Sequence, residues 1–308
     1  MNRYDVAIIG EGPAGMSAAI YATRAGLSTA VFEKAFSGGQ MSLTPDIDNY
    51  PGFESVSGFD LSMNMSNHAK KLGAEIIRAD ITDFEFSDMN NVIKTATSEY
   101  LAKTVILALG ASHRLLGVPG EEKFKGLGVS YCATCDGNFF RNREVCVVGG
   151  GNTALEDALY LSKICKTVYL IHRRDSFRGF ETLSKRIFET ENIIPVLDSV
   201  VTGINGEERV SSVAVRNVKT SEESELFISG CFIAIGTTPN TELLKGKIRL
   251  SDSGHIDAGE DTETNLPGVF AAGDIRKKPL YQIITAAADG AVAASRAGQY
   301  IAERGELK

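Results

Sequence analysis

Cys132 and Cys135 in YCATCDG have the spacing of a dithiol that can close into a disulfide and reopen. Asp136 follows directly and can give or take a proton when a thiolate leaves. The chemistry on offer is two-electron thiol–disulfide exchange, with a thiolate as the nucleophile. A CxxC can also be half of a zinc site, but Cys146, Cys165 and Cys231 stand singly and no histidine cluster supplies a second pair of ligands. Five cysteines in 308 residues are too few and too odd in number for a secreted disulfide scaffold. Cys146 and Cys165 lie in apolar strand and helix patterns and are expected in the core.

The dithiol runs straight into VCVVGGGNTA, and that loop has a counterpart near the N-terminus. Segments 4–34 and 143–175 share one plan: an apolar strand, a glycine turn, a helix with apolar residues at helical spacing, and a second strand ending in a charged residue. In Gly10, Gly12 and Gly15, the first glycine suits a tight turn, the second a close approach to a pyrophosphate, and the third close helix–strand packing. The helix N-terminus beyond offers unpaired amides and the positive end of a dipole to that phosphate. Glu33 ends the following strand, where a carboxylate can accept from ribose hydroxyls. The second loop, Gly149 to Ala154, is followed by a strand ending in His172, Arg173 and Arg174, with Arg178 beyond. Guanidinium groups there suit a 2′-phosphate, so this half is expected to prefer NADPH to NADH. Two dinucleotide sites of different character imply electron transfer between a held flavin and a visiting NADPH, with the dithiol as next acceptor.

A βαβ plan used twice predicts an α/β fold with two dinucleotide-binding Rossmann-like domains. The strand at 105–109 precedes the second glycine loop, another closes near 236, and a further strand, GVFAAGDI, follows at 268–275. The parse that fits makes the second domain an insertion into the first. Residues 1–113 and 244–308 are expected to form a discontinuous flavin-binding domain, and 114–243 an NADPH-binding domain carrying the CxxC. The covalent crossings fall in SHRLLGVPG and TPNTELLKG, which hold the Pro and Gly of linkers. The Ala-rich helix over 283–305 carries an apolar stripe that could face the flavin, the core or a second subunit.

A net charge of −7 argues against a nucleic-acid surface, and no apolar run approaches the roughly 20 residues of a membrane span. MNRYDVAIIGEG enters a strand within four residues and lacks a signal peptide's apolar region, so a cytoplasmic location is expected.

GxGPAG at 10–15, GGQ at 38–40, CATCDG at 132–137, GGGNTA at 149–154, HRRDSFR at 172–178, AIGTTPNT at 234–241 and GVFAAGD at 268–274 resemble, in order, the low-molecular-weight thioredoxin reductases. The resemblance spans essentially the whole chain. It implies a homodimeric enzyme that passes electrons from NADPH through FAD to the Cys132–Cys135 disulfide and on to thioredoxin. By family pattern Cys135 lies against the flavin ring, Cys132 attacks the thioredoxin disulfide, and Asp136 protonates the departing thiolate. FAD contacts would come from Gly10, Gly12, Pro13, Ala14, Gly15, Glu33, Gly38, Gly39, Gln40, Asn49 and Gly110, and from Gly273, Asp274, Tyr281, Gln282 and Ile283. NADPH contacts would come from Gly149, Gly151, Asn152, Thr153 and Ala154, with His172, Arg173, Arg174 and Arg178. Tyr281 departs from the pattern, since many members carry Arg there. The dithiol and the nicotinamide share one domain and must both reach the flavin held by the other, so the inserted domain is expected to rotate between two orientations. Alternatives within the same chemistry are a dithiol reductase serving a glutaredoxin-like or peroxidase partner, or one with a ferredoxin donor. Intact GGGNTA and HRRDSFR weigh against ferredoxin. A dinucleotide sensor would have no need of CATCDG.

Overall fold

The computed structural model describes residues 2–44, 46–88 and 90–305, and it divides into two compact units, residues 1–112 with 238–308, and residues 113–237. In chain order the first unit holds β1 (Asn2–Ile9), α1 (Pro13–Arg24), β2 (Thr29–Glu33), α2 (Gly58–Lys71), β3 (Glu75–Arg78), β4 (Ile81–Glu85), β5 (Asn91–Thr95) and β6 (Glu99–Leu107), then the crossing strand β7 (Ala111–His113). The second unit holds β8 (Val129–Ser130), the single turn α3 (Ala133–Asp136), β9 (Glu144–Val148), α4 (Asn152–Leu161), β10 (Thr167–Ile171), α5 (Glu181–Glu189) and β11 (Ile193–Val196). After these come β12 (Ser199–Gly206), β13 (Val210–Asn217), β14 (Glu223–Phe227) and β15 (Gly230–Ile233). The return strand β16 (Thr237–Pro239) pairs with β7, and β17 (Val269–Ala271) and α6 (Ile283–Glu303) complete the first unit.

In the first unit β3, β2, β1 and β6 run parallel in that order. At nine residues, β6 is long enough to take two neighbours on one edge. Its first half pairs antiparallel with β5, and Val105–Leu107 pairs parallel with β17. The strands bury nearly continuous apolar runs, as strands covered on both faces must; Val6, Ala7 and Ile8 are fully buried. Helix α1 begins at Pro13, whose fixed φ suits a first helical position and whose missing N–H is one the helix would leave unpaired anyway. Its Ala14, Ala18 and Ala22 pack with Ala293, Ala294 and Ala297 of α6. Small side chains let these helices approach so closely that a Cβ on Gly290 would overlap the Ala14 carbonyl. The apolar stripe of α6 therefore faces α1 and the core of its own unit.

The second unit repeats the parallel plan in the order β11, β10, β9, β15, β8, and adds an antiparallel sheet of β12, β13 and β14. The two glycine-loop units are thus the βαβ segments β1–α1–β2 and β9–α4–β10. The return crossing lies near residue 238, six residues ahead of the expected 244, because Thr241 and Leu244 are already buried in the first unit. Asn240 N–H donates to the Gly110 carbonyl at 3.0 Å, which ties the returning chain to the departing one. No helix among the described residues is long and apolar enough to cross a membrane.

Candidate active site

Cys132 and Cys135 form a disulfide at the start of α3, with Cys132 in the N-cap position and the Cys135 N–H directed at its sulfur. The backbone is organised by Ser130. Its hydroxyl accepts from the Cys132 N–H at 3.1 Å and donates to Asp136 Oδ2 at 2.6 Å. The acid next to the dithiol is therefore held by a side chain that also fixes the first cysteine, a role that Ser130, two residues upstream, did not announce in the sequence. Cys146, Cys165 and Cys231 are buried and free. The Cys231 thiol beside it, together with burial, pushes Cys146 well above the ordinary thiol range, and burial raises Cys165 to about 11. Neither competes with the dithiol at neutral pH. No group of three or more His, Cys, Asp or Glu able to hold a metal occurs among the described residues.

In the first unit the glycine loop is built by contact. A Cβ on Gly10 would overlap the Ala108 carbonyl oxygen and one on Gly15 the Gly10 carbonyl oxygen, whereas one on Gly12 meets nothing within 4 Å. The GGQ turn lies alongside: Gly38 N–H donates to the Glu11 carbonyl at 2.8 Å, and an added Cβ on Gly39 would stand 3.8 Å from Gly12 Cα. Gln40 Nε2 donates to the Ala111 carbonyl, Asn49 Nδ2 to Gln282 Oε1 at 3.1 Å. Gly273 packs against Ala14, and Gln282 caps α6, with Ile283 its first residue, through a reciprocal box with Thr285. Tyr281 folds back, its hydroxyl accepting from the Lys278 N–H at 3.4 Å. The structure therefore sets the turn at 38–40 and Gly273 against the loop at 10–15, and Asn49 against the Gln282 cap of α6. Gly110 stands at positive φ beside the crossing strands.

Glu33 accepts from the Glu11 N–H at 3.0 Å and the Ala35 N–H at 2.9 Å, so it buttresses the loop at its strand end. Glu11 carries no motif signal in the sequence. Its fully buried carboxylate accepts from Ser37 and Ser66 hydroxyls at 2.8 and 2.6 Å and pairs with Arg78 at 2.6 Å. The three partners come from three separate segments, which is why spacing could not reveal them.

In the second unit a Cβ on Gly149 would overlap the Ala234 carbonyl oxygen and stand 2.7 Å from Ala154 Cβ, and one on Gly151 meets nothing within 4 Å. The segment after β10 returns to this loop: Arg178 N–H donates to the Gly150 carbonyl at 2.7 Å, and Phe180 N–H to Asn152 Oδ1 at 2.7 Å. Thr153 is exposed in the first turn of α4. Arg173, Arg174 and Arg178 are exposed on the returning segment, and none has an acidic partner among the described residues. His172 behaves differently. Its ring is buried against Gly150, its Nε2 has no hydrogen-bond partner, and burial followed by the three nearby arginines lowers its pKa. It is a neutral wedge under the loop, with the charge left to the arginines.

The pyridine nucleotide-disulphide oxidoreductase family matches residues 4–291. The thioredoxin reductase of Bacillus subtilis is 44% identical over 301 residues, 97% of this chain and 95% of that protein. The enzyme of the same name from Peptoclostridium acidaminophilum is 44% identical over 307 residues, 97% of this chain and 98% of its own length. The solved thioredoxin reductase of Streptococcus pyogenes superposes with a TM-score of 0.91 at 43% identity, covering 98% of this chain and 99% of that one. This chain belongs to the thioredoxin reductase family. Thioredoxin reductases of this type use FAD and NADPH, and the chain is a flavoprotein disulfide oxidoreductase of that kind. The two cradles fit such nucleotides on local grounds. In the first, Gly10 and Gly15 are occluded by backbone; in the second, Gly149 is occluded by backbone and Gly150 by the His172 ring; the glycine that would face a pyrophosphate, Gly12 or Gly151, opens on space.

Proposed function

We propose that the chain reduces the disulfide of thioredoxin with electrons from NADPH. The observation that carries this is the Cys132–Cys135 disulfide beside a Ser130-held Asp136, in the same unit as a glycine loop flanked by three arginines that have no acidic partner among the described residues. The first unit, with Gly10, Gly12, Pro13, Ala14, Gly15, Glu33, Gly38, Gly39, Gln40, Asn49, Gly110 and the stretch from Gly273 to Ile283, would hold FAD. The second, with Gly149 to Ala154, His172 and the three arginines, would hold NADPH, the guanidinium groups taking the 2′-phosphate. Bound FAD would supply the two-electron relay between nicotinamide and disulfide.

The chain's own residues account for the rest. Reduced Cys132 attacks one sulfur of the thioredoxin disulfide as a thiolate, forming a mixed disulfide and releasing the other sulfur. Cys135 then attacks Cys132 Sγ, which restores the Cys132–Cys135 bond and frees the second thioredoxin thiol. Asp136 supplies a proton to a departing thiolate, and Ser130 keeps its carboxyl at that end of α3. Because dithiol and nicotinamide loop share one unit, they would have to reach a single bound flavin in turn, and rotation about the paired strands β7 and β16 would exchange them. A homodimer in the cytoplasm, where NADPH and thioredoxin meet, completes the reading.

The test is an anaerobic titration. NADPH should bleach the flavin absorbance, and oxidised thioredoxin, but not glutathione disulfide, should restore it. Bleaching without reoxidation by thioredoxin would refute thioredoxin as the acceptor.

A further inference from the structure

Asp289 lies two turns into α6 with a buried carboxylate, yet it accepts from four donors. These are the Gly273 N–H at 2.9 Å, Arg276 Nε at 2.9 Å, Arg276 Nη2 at 2.7 Å and Lys278 Nζ at 3.4 Å. Arg276 and Lys278 are themselves buried, 3% and 9% exposed. Burying two cations at one turn is costly, and apolar side chains of similar size would serve packing as well or better. Asp289 already has a bidentate partner in Arg276, so neutralising it does not require Lys278.

The second partner of Lys278 distinguishes the two cations. Its ammonium lies 3.1 Å from Asp274 Oδ1, an oxygen that is buried and receives no hydrogen bond. The Asp274 side chain is nonetheless 38% exposed, so its other oxygen carries the exposure. Lys278 thus holds the inner oxygen and leaves the outer one presented from the Gly273–Asp274 turn. The Tyr281 ring stands 5.8 Å from the same ammonium and covers it. Asp289 completes the linkage: through Gly273, Arg276 and Lys278 it locks that turn to α6, and both Gly273 and, from α6, Gly290 pack against Ala14 of the first glycine loop.

We propose that Lys278 is a positioning residue for the flavin nucleotide. It fixes the rotamer of Asp274 so that the outer carboxylate oxygen accepts from a hydroxyl of the bound dinucleotide, and it cancels that carboxylate's repulsion of the nucleotide's phosphates. The inference rests on the assignment of FAD to this unit.

The experiment measures FAD affinity of the full chain by the rise in flavin fluorescence on dilution, for wild type, Lys278→Met and Lys278→Arg, alongside thermal unfolding with and without added FAD. Lys278→Met should weaken FAD by roughly tenfold, the loss of one charge-assisted orientation. Lys278→Arg should recover most of that loss. The FAD-dependent gain in Tm should shrink in the Met variant, a change that general loosening of the fold would not produce with charge-specific rescue. A Met variant that binds FAD as tightly as wild type, or a loss that Arg does not reverse, overturns the inference while leaving the assignment of FAD intact. A wild-type chain that takes up no FAD overturns both.

Discussion

Gly12 and Gly15 sit three residues apart in one loop and should fail in different ways when each becomes alanine. Gly12 has φ −78° and ψ −176°, a conformation alanine adopts without strain, and an added Cβ meets nothing within 4 Å. Losing the glycine N-cap costs a few tenths to about 1 kcal/mol, and reduced freedom of the unfolded chain returns about 0.4–1 kcal/mol, so folding stability should stay within ~1 kcal/mol of wild type. The new methyl group fills the space a pyrophosphate needs, and FAD affinity should fall at least about a hundredfold, on the order of 3 kcal/mol. At Gly15 the same methyl overlaps the Gly10 carbonyl oxygen and stands 3.0 Å from its carbon and 3.3 Å from Ile8 Cγ2. Backbone cannot rotate aside, so α1 must shift away from β1, with a cost of about 3 kcal/mol or more. The assay is flavin content by absorbance, together with thermal unfolding of each variant without added FAD. A Gly12→Ala protein that retains flavin at wild-type affinity, or that is as unstable as Gly15→Ala, would refute the division of labour between the two glycines.

Replacing Arg173 and Arg174 together by alanine should raise the KM for NADPH by roughly tenfold or more and leave NADH nearly unchanged, because only NADPH has a 2′-phosphate for the guanidinium groups to hold; steady-state kinetics with both nucleotides decides it. Cys135→Ser should keep flavin and NADPH binding while abolishing thioredoxin reduction, and retained turnover would remove the dithiol from the mechanism. Asp157, on α4, has its pKa raised to about 7 by burial and then by the neighbouring Glu156. A raised carboxyl binds its proton more tightly folded than unfolded, so the stability it contributes is full below about pH 4 and is lost as pH rises through about 7. Asp157→Asn should flatten that slope and stabilise the protein above pH 7 by on the order of 1–2 kcal/mol, after allowance for partial solvent screening; denaturant melts at pH 5 and pH 8 would show equal effects at both values if the reasoning were wrong.

Much of the fold was legible because its signals are local. A strand, a glycine turn and a helix leave a pattern within thirty residues, and the pattern occurs twice. The inserted order follows from where the strands fall, and the arginines stand out because they cluster just after β10. The antiparallel strands β4, β5 and β12 to β14 were not read, since their alternation is short and no motif marks them. Which face α6 buries could not be read either, because an alanine stripe suits several partners. The alanine packing and the close approach at Gly290 show that α1 is the one.

The sequence by itself determined the chemistry: a dithiol with its acid, two nucleotide loops of opposite character, and the order in which they occur. The tertiary structure alone decided what holds those groups in place. Ser130 joins Cys132 to Asp136, Glu11 collects Ser37, Ser66 and Arg78, and Asp289 binds Gly273, Arg276 and Lys278. Motifs are contiguous because backbone and dithiol geometry act over a few residues. Buried charges instead find their partners wherever packing brings a donor close enough to replace lost water, and that distance exists only in the folded chain.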